Sequence, residues 1–441
     1  MNPGSARLWW LNPAWVAGLM GLLVSLGAYA TPEPMYRTFW RTPKYFDGQS
    51  LLLSLGLTAA FVLGAILAMG SGKGLGRSHW REELPWHLVT RCFWLCVYGT
   101  VAGYLIWGTA AVVRGANLAL AIGILSGDKG AADAMKNDYL VTISGVTTLT
   151  QLGLVAMVLG VMIGTAKGWK TVRLPIAALF VLALVRALFN SERLAILELA
   201  IPASVLAIRL VLLESPRYLG RIKTAMKLLP GAAVALFVPL FAAYEYFRSW
   251  SSYYSGSGTN FWEFASLRLL GYYTTALNNG ALMVARLDPV GAPFGTFHFL
   301  WRFPPFSSLM VALYPNLKLD DANFDPYMQI LSREANPEFN NQSGLFPAAV
   351  DFGIPGALLY WFLAGLLCGL LYRWFREGRI AGLFFYPLLF TGITETTRIM
   401  YWGEGRVVVA YAVLLPLAWL CSVSKLRERR AQRRMIWLQS H

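Results

Sequence analysis

The chain has 441 residues, of which 56% are hydrophobic and 14% charged, with a mean hydropathy of +0.49 and a formal charge of +15. A soluble domain carries about 25% charged residues, so this composition excludes a typical cytosolic enzyme, a disordered chain and a secreted disulfide scaffold. On so apolar a chain the positive excess points first to loops on the inner side of a membrane, not to nucleic acid.

A bilayer span needs about 20 mostly apolar residues. In chain order ten segments qualify: 12–30, 51–69, 92–113, 139–165, 174–189, 194–213, 229–247, 354–375, 380–396 and 406–422. The fifth and sixth can only form a tight hairpin around Asn190–Ser191–Glu192. With the N-terminus inside, 22 of the 38 Lys+Arg fall in the inner segments, and 18 of the 23 Asp+Glu fall outside or within spans. That asymmetry follows the positive-inside rule. It predicts an all-α polytopic membrane protein with about ten transmembrane helices and both termini cytoplasmic. Cys92, Cys96, Cys368 and Cys421 all lie in spans, where free thiols pack as small hydrophobes.

Two connections are long. Segment 114–138 has a helical pattern, and 248–350 forms a loop of about a hundred residues on the outer side. Loops of that length are often functional. Within the second, 260–286 reads as one or two amphipathic helices at the outer interface. Stretch 296–314 is apolar but interrupted by Pro304 and Pro305, which predicts an interfacial or re-entrant segment. The whole reads as a single membrane domain, 1–441, with 248–350 inserted between spans as an external cap.

No Walker loop, H-E-x-x-H, C-x-x-C or G-x-S-x-G occurs, so neither an ATP-driven pump nor a common metal or serine hydrolase is indicated. Asp320, Asp321 and Asp325 are spaced for a divalent cation, but such acidic loops are usually just solvated, and no metal or other cofactor is expected. The informative residues are arginines near the outer face: Arg186, Arg193, Arg248, Arg268, Arg333 and Arg398, with Arg286, Arg302 and Arg406 nearby. The planar guanidinium binds two phosphate oxygens and does not deprotonate, so an arginine cluster at the outer leaflet suits a lipid-linked phosphate or diphosphate. The competing reading pairs them with neighbours: Glu192 with Arg193, Glu245 with Arg248, Glu395 with Arg398, and Glu404 with Arg406. Arg186 and Glu198 sit inside apolar spans at similar depth. Ionisable groups there are costly and functional by default, though a mutual salt bridge would also explain them. Asp351, Glu192, Glu263, Glu338 and His298 are the available bases, and Tyr272 and Tyr273 would suit stacking on a sugar face.

Several of these residues recur in a recognisable order. Asn12–Pro13 opens the first span, and Asn190–Ser191–Glu192–Arg193 forms the hairpin. The seventh span ends in Tyr244–Glu245–Tyr246–Phe247–Arg248. The long loop holds Gly271–Tyr272–Tyr273, Asn278–Asn279 and Asn340–Asn341–Gln342–Ser343–Gly344. Asp351–Phe352–Gly353–Ile354–Pro355–Gly356 then leads into a span. This order resembles the Wzy-type O-antigen and exopolysaccharide repeat-unit polymerases, along most of the chain.

The resemblance implies a GT-C-like membrane glycosyltransferase working at the periplasmic face of the bacterial inner membrane. Its donor and acceptor would be oligosaccharides carried on undecaprenyl diphosphate, with a polysaccharide chain-length regulator as partner. On that reading Arg193, Arg248 and Arg398 hold the diphosphate, Arg333 completes the site from the loop, and Arg186, Arg268, Tyr272 and Tyr273 also bind substrate. Asp351 or Glu192 is the base. Two rivals share parts of the pattern: an O-antigen ligase delivering polymer to lipid A–core, and a transporter of lipid-linked glycan.

Overall fold

The computed structural model describes residues 8–70, 80–190, 194–212, 226–256, 259–303, 306–315, 317 and 326–439. The chain is helical, and among the described residues the only strand-like pairing is an isolated bridge between Ser343 and Ile399. The principal helices are α1 (Pro13–Ala30), α2 (Gly48–Met69), α3 (Trp86–Val113), α4 (Leu152–Lys167), α5 (Arg173–Phe189), α6 (Leu194–Ala207), α7 (Leu229–Glu245), α8 (Phe261–Arg286), α9 (Pro347–Glu377), α10 (Ile380–Glu395) and α11 (Gly405–Gln439).

Among the described residues seven helices are long and apolar enough to cross a bilayer: α1, α2, α3, α4 with its preceding turn, α7 with its π-helical continuation to Ser251, α9, and α11 to Ser424. The three other predicted spans, α5, α6 and α10, are also helices, of 17, 14 and 16 residues. Local sequence starts the elements cleanly. Asn12 caps α1 by accepting from the Ala14 amide, with Pro13 in the first turn. Asp47 caps α2 and Asn260 caps α8 in the same way. Each cap satisfies an amide that has no partner inside the helix.

Packing between α2 and α9 is the closest in the bundle. Gly365 and Gly369 of α9 lie against the Phe61 and Ala65 carbonyls of α2, and Gly64 lies against the Phe362 carbonyl. A Cβ at any of these positions would collide with backbone. In a bilayer lipid is as apolar as leucine, so helices associate through such small-residue contacts rather than by burying oil. Leucines on the far faces, such as Leu63, Leu67, Leu359 and Leu363, are exposed and suited to lipid. Between α1 and α2 the Ser54 hydroxyl donates to the Ser25 hydroxyl at 3.0 Å, both fully buried.

At one end of the bundle the connections gather into a cap. The Trp40 indole donates to the Leu267 carbonyl, and the Asn336 amide donates to the Trp40 carbonyl. Of the one or two helices expected over 260–286 one forms, α8, and its second half is buried in the cap rather than lying on the surface. Thr274 to Met283 are buried continuously, because Gly271 admits Trp40 and Gly280 admits Phe346 at close range. The passage Asp351–Gly356 is a break inside α9: Gly353 has φ +69° and Pro355 follows. The turn carrying Asp351 therefore belongs to the cap, while the rest of α9 is a bundle helix. At the opposite end Arg209 is fully buried and donates to the Phe375 and Arg376 carbonyls, and the Tyr386 hydroxyl donates to the Leu11 carbonyl.

Replacing Gly365 with leucine should destabilise the detergent-solubilised chain by about 3 kcal/mol, read as a lower thermal-melting midpoint. Gly27→Ala, where the added methyl meets nothing within 4 Å, should leave the midpoint at or above wild type.

Candidate functional site

The cap and the bundle enclose a cavity of about 680 Å³. Its apolar side is built by Met20 of α1, Leu194, Leu197 and Ile201 of α6, and Val234, Phe237 and Phe241 of α7. Its polar end comes from five separate places. Tyr272 and Tyr273 project from α8, and Asn340 and Asn341 come from the loop before α9. Glu395 ends α10 and Arg398 follows it, Glu404 and Arg406 flank Gly405 at the start of α11, and Lys136 reaches in from the π-helical turn Met135–Tyr139.

These segments are fixed to one another by backbone contacts. Ser343 adopts φ +66°, its hydroxyl donates to the Thr397 carbonyl at 3.3 Å, and it bridges to Ile399. Gly344 lies directly on the Thr396 and Ile399 carbonyls. The Asn279 side-chain amide donates to the Phe339 and Asn341 carbonyls at 2.7 and 2.9 Å. Asn278 accepts from the Tyr45 and Phe46 amides and donates to the Pro43 carbonyl. The Asn278–Asn279 pair thus ties α8 to two loops and sets the height of Asn341.

The cations differ in how they are held. Arg398 is paired with Glu395 at 2.6 Å and keeps part of its surface open to the cavity. Arg406 approaches Glu198 at 3.5 Å. Of the two carboxylates on the wall, Glu395 is held by Arg398, whereas Glu404 makes no side-chain hydrogen bond or ion pair among the described residues. Burial pushes the Tyr273 phenol up to about 12, with the Glu395 carboxylate adding to the shift and Arg398 opposing it. Tyr273 is therefore a protonated donor at neutral pH.

The expected site residues do not all converge. Arg398, Tyr272 and Tyr273 line the cavity. Arg268 is buried away from it, between Glu245 at 3.3 Å and Glu338, and lies over the Phe339 ring. Arg186 lies over the Trp107 ring, donates to the Thr150 hydroxyl at 3.2 Å, and shares a small polar pocket with Glu198. Arg333 is exposed on the helix Pro326–Glu334 and does not reach the cavity. Glu192 and Arg193 lie outside the described residues, as do Asp320, Asp321 and Asp325. For Arg248 only the backbone is described, within a π-helical turn.

Asp351, expected as a base, is fully buried and does not line the cavity. Its two oxygens accept four hydrogen bonds: from the Gly295 amide at 2.9 Å, the Thr296 amide at 2.8 Å, the Thr296 hydroxyl at 2.7 Å and the Tyr327 hydroxyl at 2.6 Å. The Gly291 amide donates to its carbonyl as well. A carboxylate so engaged has no lone pair directed at a substrate. It positions the loop 290–296 and the helix Pro326–Glu334 against α9.

Seven polar wall residues were not among the expected site residues: Lys136, Asn340, Asn341, Thr394, Glu395, Glu404 and Arg406. Asn340 and Asn341 stand in the loop stretch already singled out, but amides lack the charge signal that drew attention to arginines. Comparison of the chain with protein-family models, with curated proteins and with solved structures finds no match.

Asp351→Asn turns one of its two acceptor positions into a donor facing donors and should cost about 3 kcal/mol, measurable as a lower melting midpoint. A second prediction concerns the outer rim. Arg286 donates twice to Glu334 and Tyr45 donates once. The Arg286 hydrogen bonds, aided by Tyr45, hold the Glu334 carboxyl below the usual glutamate range. Its folded value lies below its unfolded one, so the stabilisation is complete above about pH 4.3. It disappears as pH falls through the lowered folded value. The melting midpoint of Glu334→Gln should fall less than that of wild type between about pH 5 and pH 3.

Proposed function

We propose that this chain is a membrane-embedded, inverting glycosyltransferase that polymerises oligosaccharide repeats carried on undecaprenyl diphosphate. One observation carries the reading: a single cavity joins an apolar wall between α1, α6 and α7 to a polar end bearing Arg398, Arg406 and Lys136. A ligand that fits both halves is a long hydrocarbon attached to an anionic head. The order of residues shared with Wzy-type polymerases adds the sugar chemistry.

In this proposal the protein lies in the bacterial inner membrane in a ten-span, GT-C-like arrangement. Helices α5, α6 and α10 count as spans, both termini are cytoplasmic, and the cap is periplasmic. A chain-length regulator would act beside it. Arg398, Arg406 and Lys136 bind the donor's diphosphate. Arg193 and Arg248 are given the same role on the resemblance alone. Tyr272 and Tyr273 present ring faces and a hydroxyl donor to sugar.

The acceptor's sugar hydroxyl attacks the anomeric carbon of the donor from the face opposite the diphosphate. The new C–O bond forms as the bond to the phosphate oxygen breaks, and undecaprenyl diphosphate leaves with the electron pair. The hydroxyl proton passes to Glu404, the wall carboxylate without an ion pair among the described residues. Fixed cations around the leaving group stabilise its growing charge without reorganising. Asp351 and Arg268 are positioning residues for the cap.

The test is incubation of purified protein with lipid-linked repeat units, read as a ladder of products. Arg398→Gln and Arg406→Gln should each slow the ladder by about 10²–10³-fold. No ladder from unaltered protein would overturn the proposal. In cells, loss of the gene should leave one repeat on the lipopolysaccharide core; complete absence of repeats there would instead indicate a ligase.

A further inference from the structure

At the end of the bundle away from the cap, a second, open cavity of about 730 Å³ runs between the start of α3 and the end of α4. Two cations line it, Arg91 of α3 and Lys167 of α4, and neither makes an ion pair among the described residues. The Lys167 ammonium stands 5.2 Å from the centre of the Trp86 ring. Trp94 and Tyr98 stack along the same wall with ring centres 5.6 Å apart. The Thr90 hydroxyl also lines the groove. It is buried and has no hydrogen-bond partner among the described residues, although a helical threonine can ordinarily bond back to its own helix. Glu82 and Glu83, the nearest acids in sequence, do not line it.

We infer that this groove binds the headgroup of an anionic phospholipid. The phosphate would sit between Arg91 and Lys167, which together supply its positive charge. The orphaned Thr90 hydroxyl would donate to the same headgroup. A lipid is favoured over a soluble phosphate by what continues from the cations. Leu95 and Tyr98 lie about 6 and 10 Å further along α3 from Arg91, and both are exposed and apolar or aromatic. Acyl chains attached to a phosphate at Arg91 would run over that surface. Basic pockets between membrane helices that grip lipid headgroups follow this pattern. The site is separate from the cavity of the proposed transferase and does not rest on that reading.

The full-length chain, purified and stripped of co-purifying lipid in a nonionic detergent, would be titrated with phosphatidylglycerol, phosphatidylcholine and inorganic phosphate. Bound species would be read by native mass spectrometry. The expected result is one phosphatidylglycerol held roughly tenfold more tightly than phosphatidylcholine and not displaced by inorganic phosphate. The preference should vanish in Arg91→Gln/Lys167→Gln and survive in Arg91→Lys/Lys167→Arg, which separates loss of charge from loss of fold. Equal retention of the two lipids, displacement by inorganic phosphate, or an undiminished preference in the neutral double variant would each overturn the inference. If a variant misfolds, the two-lipid comparison on unaltered protein still decides it.

Discussion

The buried carboxylate of Asp351 is the interaction on which the cap depends. Its four donors come from Gly295, Thr296 and Tyr327, segments that also share an apolar cluster of Phe294, Tyr327 and Val350. The consequence travels further through backbone. The Thr296 carbonyl rests against Gly403, and the next residues, Glu404 and Arg406, stand on the cavity wall. A charge that touches nothing in the cavity thus fixes two groups that do. Burying an ion is costly unless every lone pair is engaged, and at Asp351 the engagement is complete.

The arginines divide by the same logic. Arg268 meets Glu245 and Glu338 deep in the cap, and Arg209 meets two carbonyls at the far end. These charges are consumed in holding elements together. Arg398 and Arg406 have carboxylate partners too, yet both keep surface on the cavity. Pairing with Glu395 and Glu198 sets their direction while each still lines the cavity. Whether an arginine can serve a ligand is decided by which side of it remains uncovered, not by whether it is paired.

The helices were legible in the sequence because hydropathy and caps are local. All ten apolar segments hold a helix among the described residues, although the fourth, expected over 139–165, is irregular between Leu140 and Gly145, and Asn12, Asp47 and Asn260 cap where polar residues precede apolar runs. The break at Gly353 was legible as a junction for the same reason. Pairing was legible only where partners are neighbours: Glu395–Arg398, three residues apart, is present at 2.6 Å. Glu245 meets Arg268, 23 residues further on, because a folded cap brings distant helices as close as a helical turn does. Asp351 reads as a base in sequence for a related reason. Nothing local reveals that Tyr327 and Thr296 will cover it. The burial of α8 was hidden because its polar Thr274, Thr275, Asn278 and Asn279 mimic a surface face, whereas each satisfies a buried backbone group or packs within the cap.

Helix α9 has a further property that follows from its ends. Asp351, negative, lies at the N-terminal side of its break, and Arg209, positive, donates to its last carbonyls. Each buried charge opposes the partial charge of the helix end beside it. Between them Gly365 and Gly369 seat on α2 with no room for a side chain. Sliding α9 along its axis by one turn would move both ends away from their counter-charges and push side chains into the α2 backbone. The helix is indexed to a single axial position, so the cap at one end and the basic surface at the other are held at a constant separation, as by a strut of fixed length.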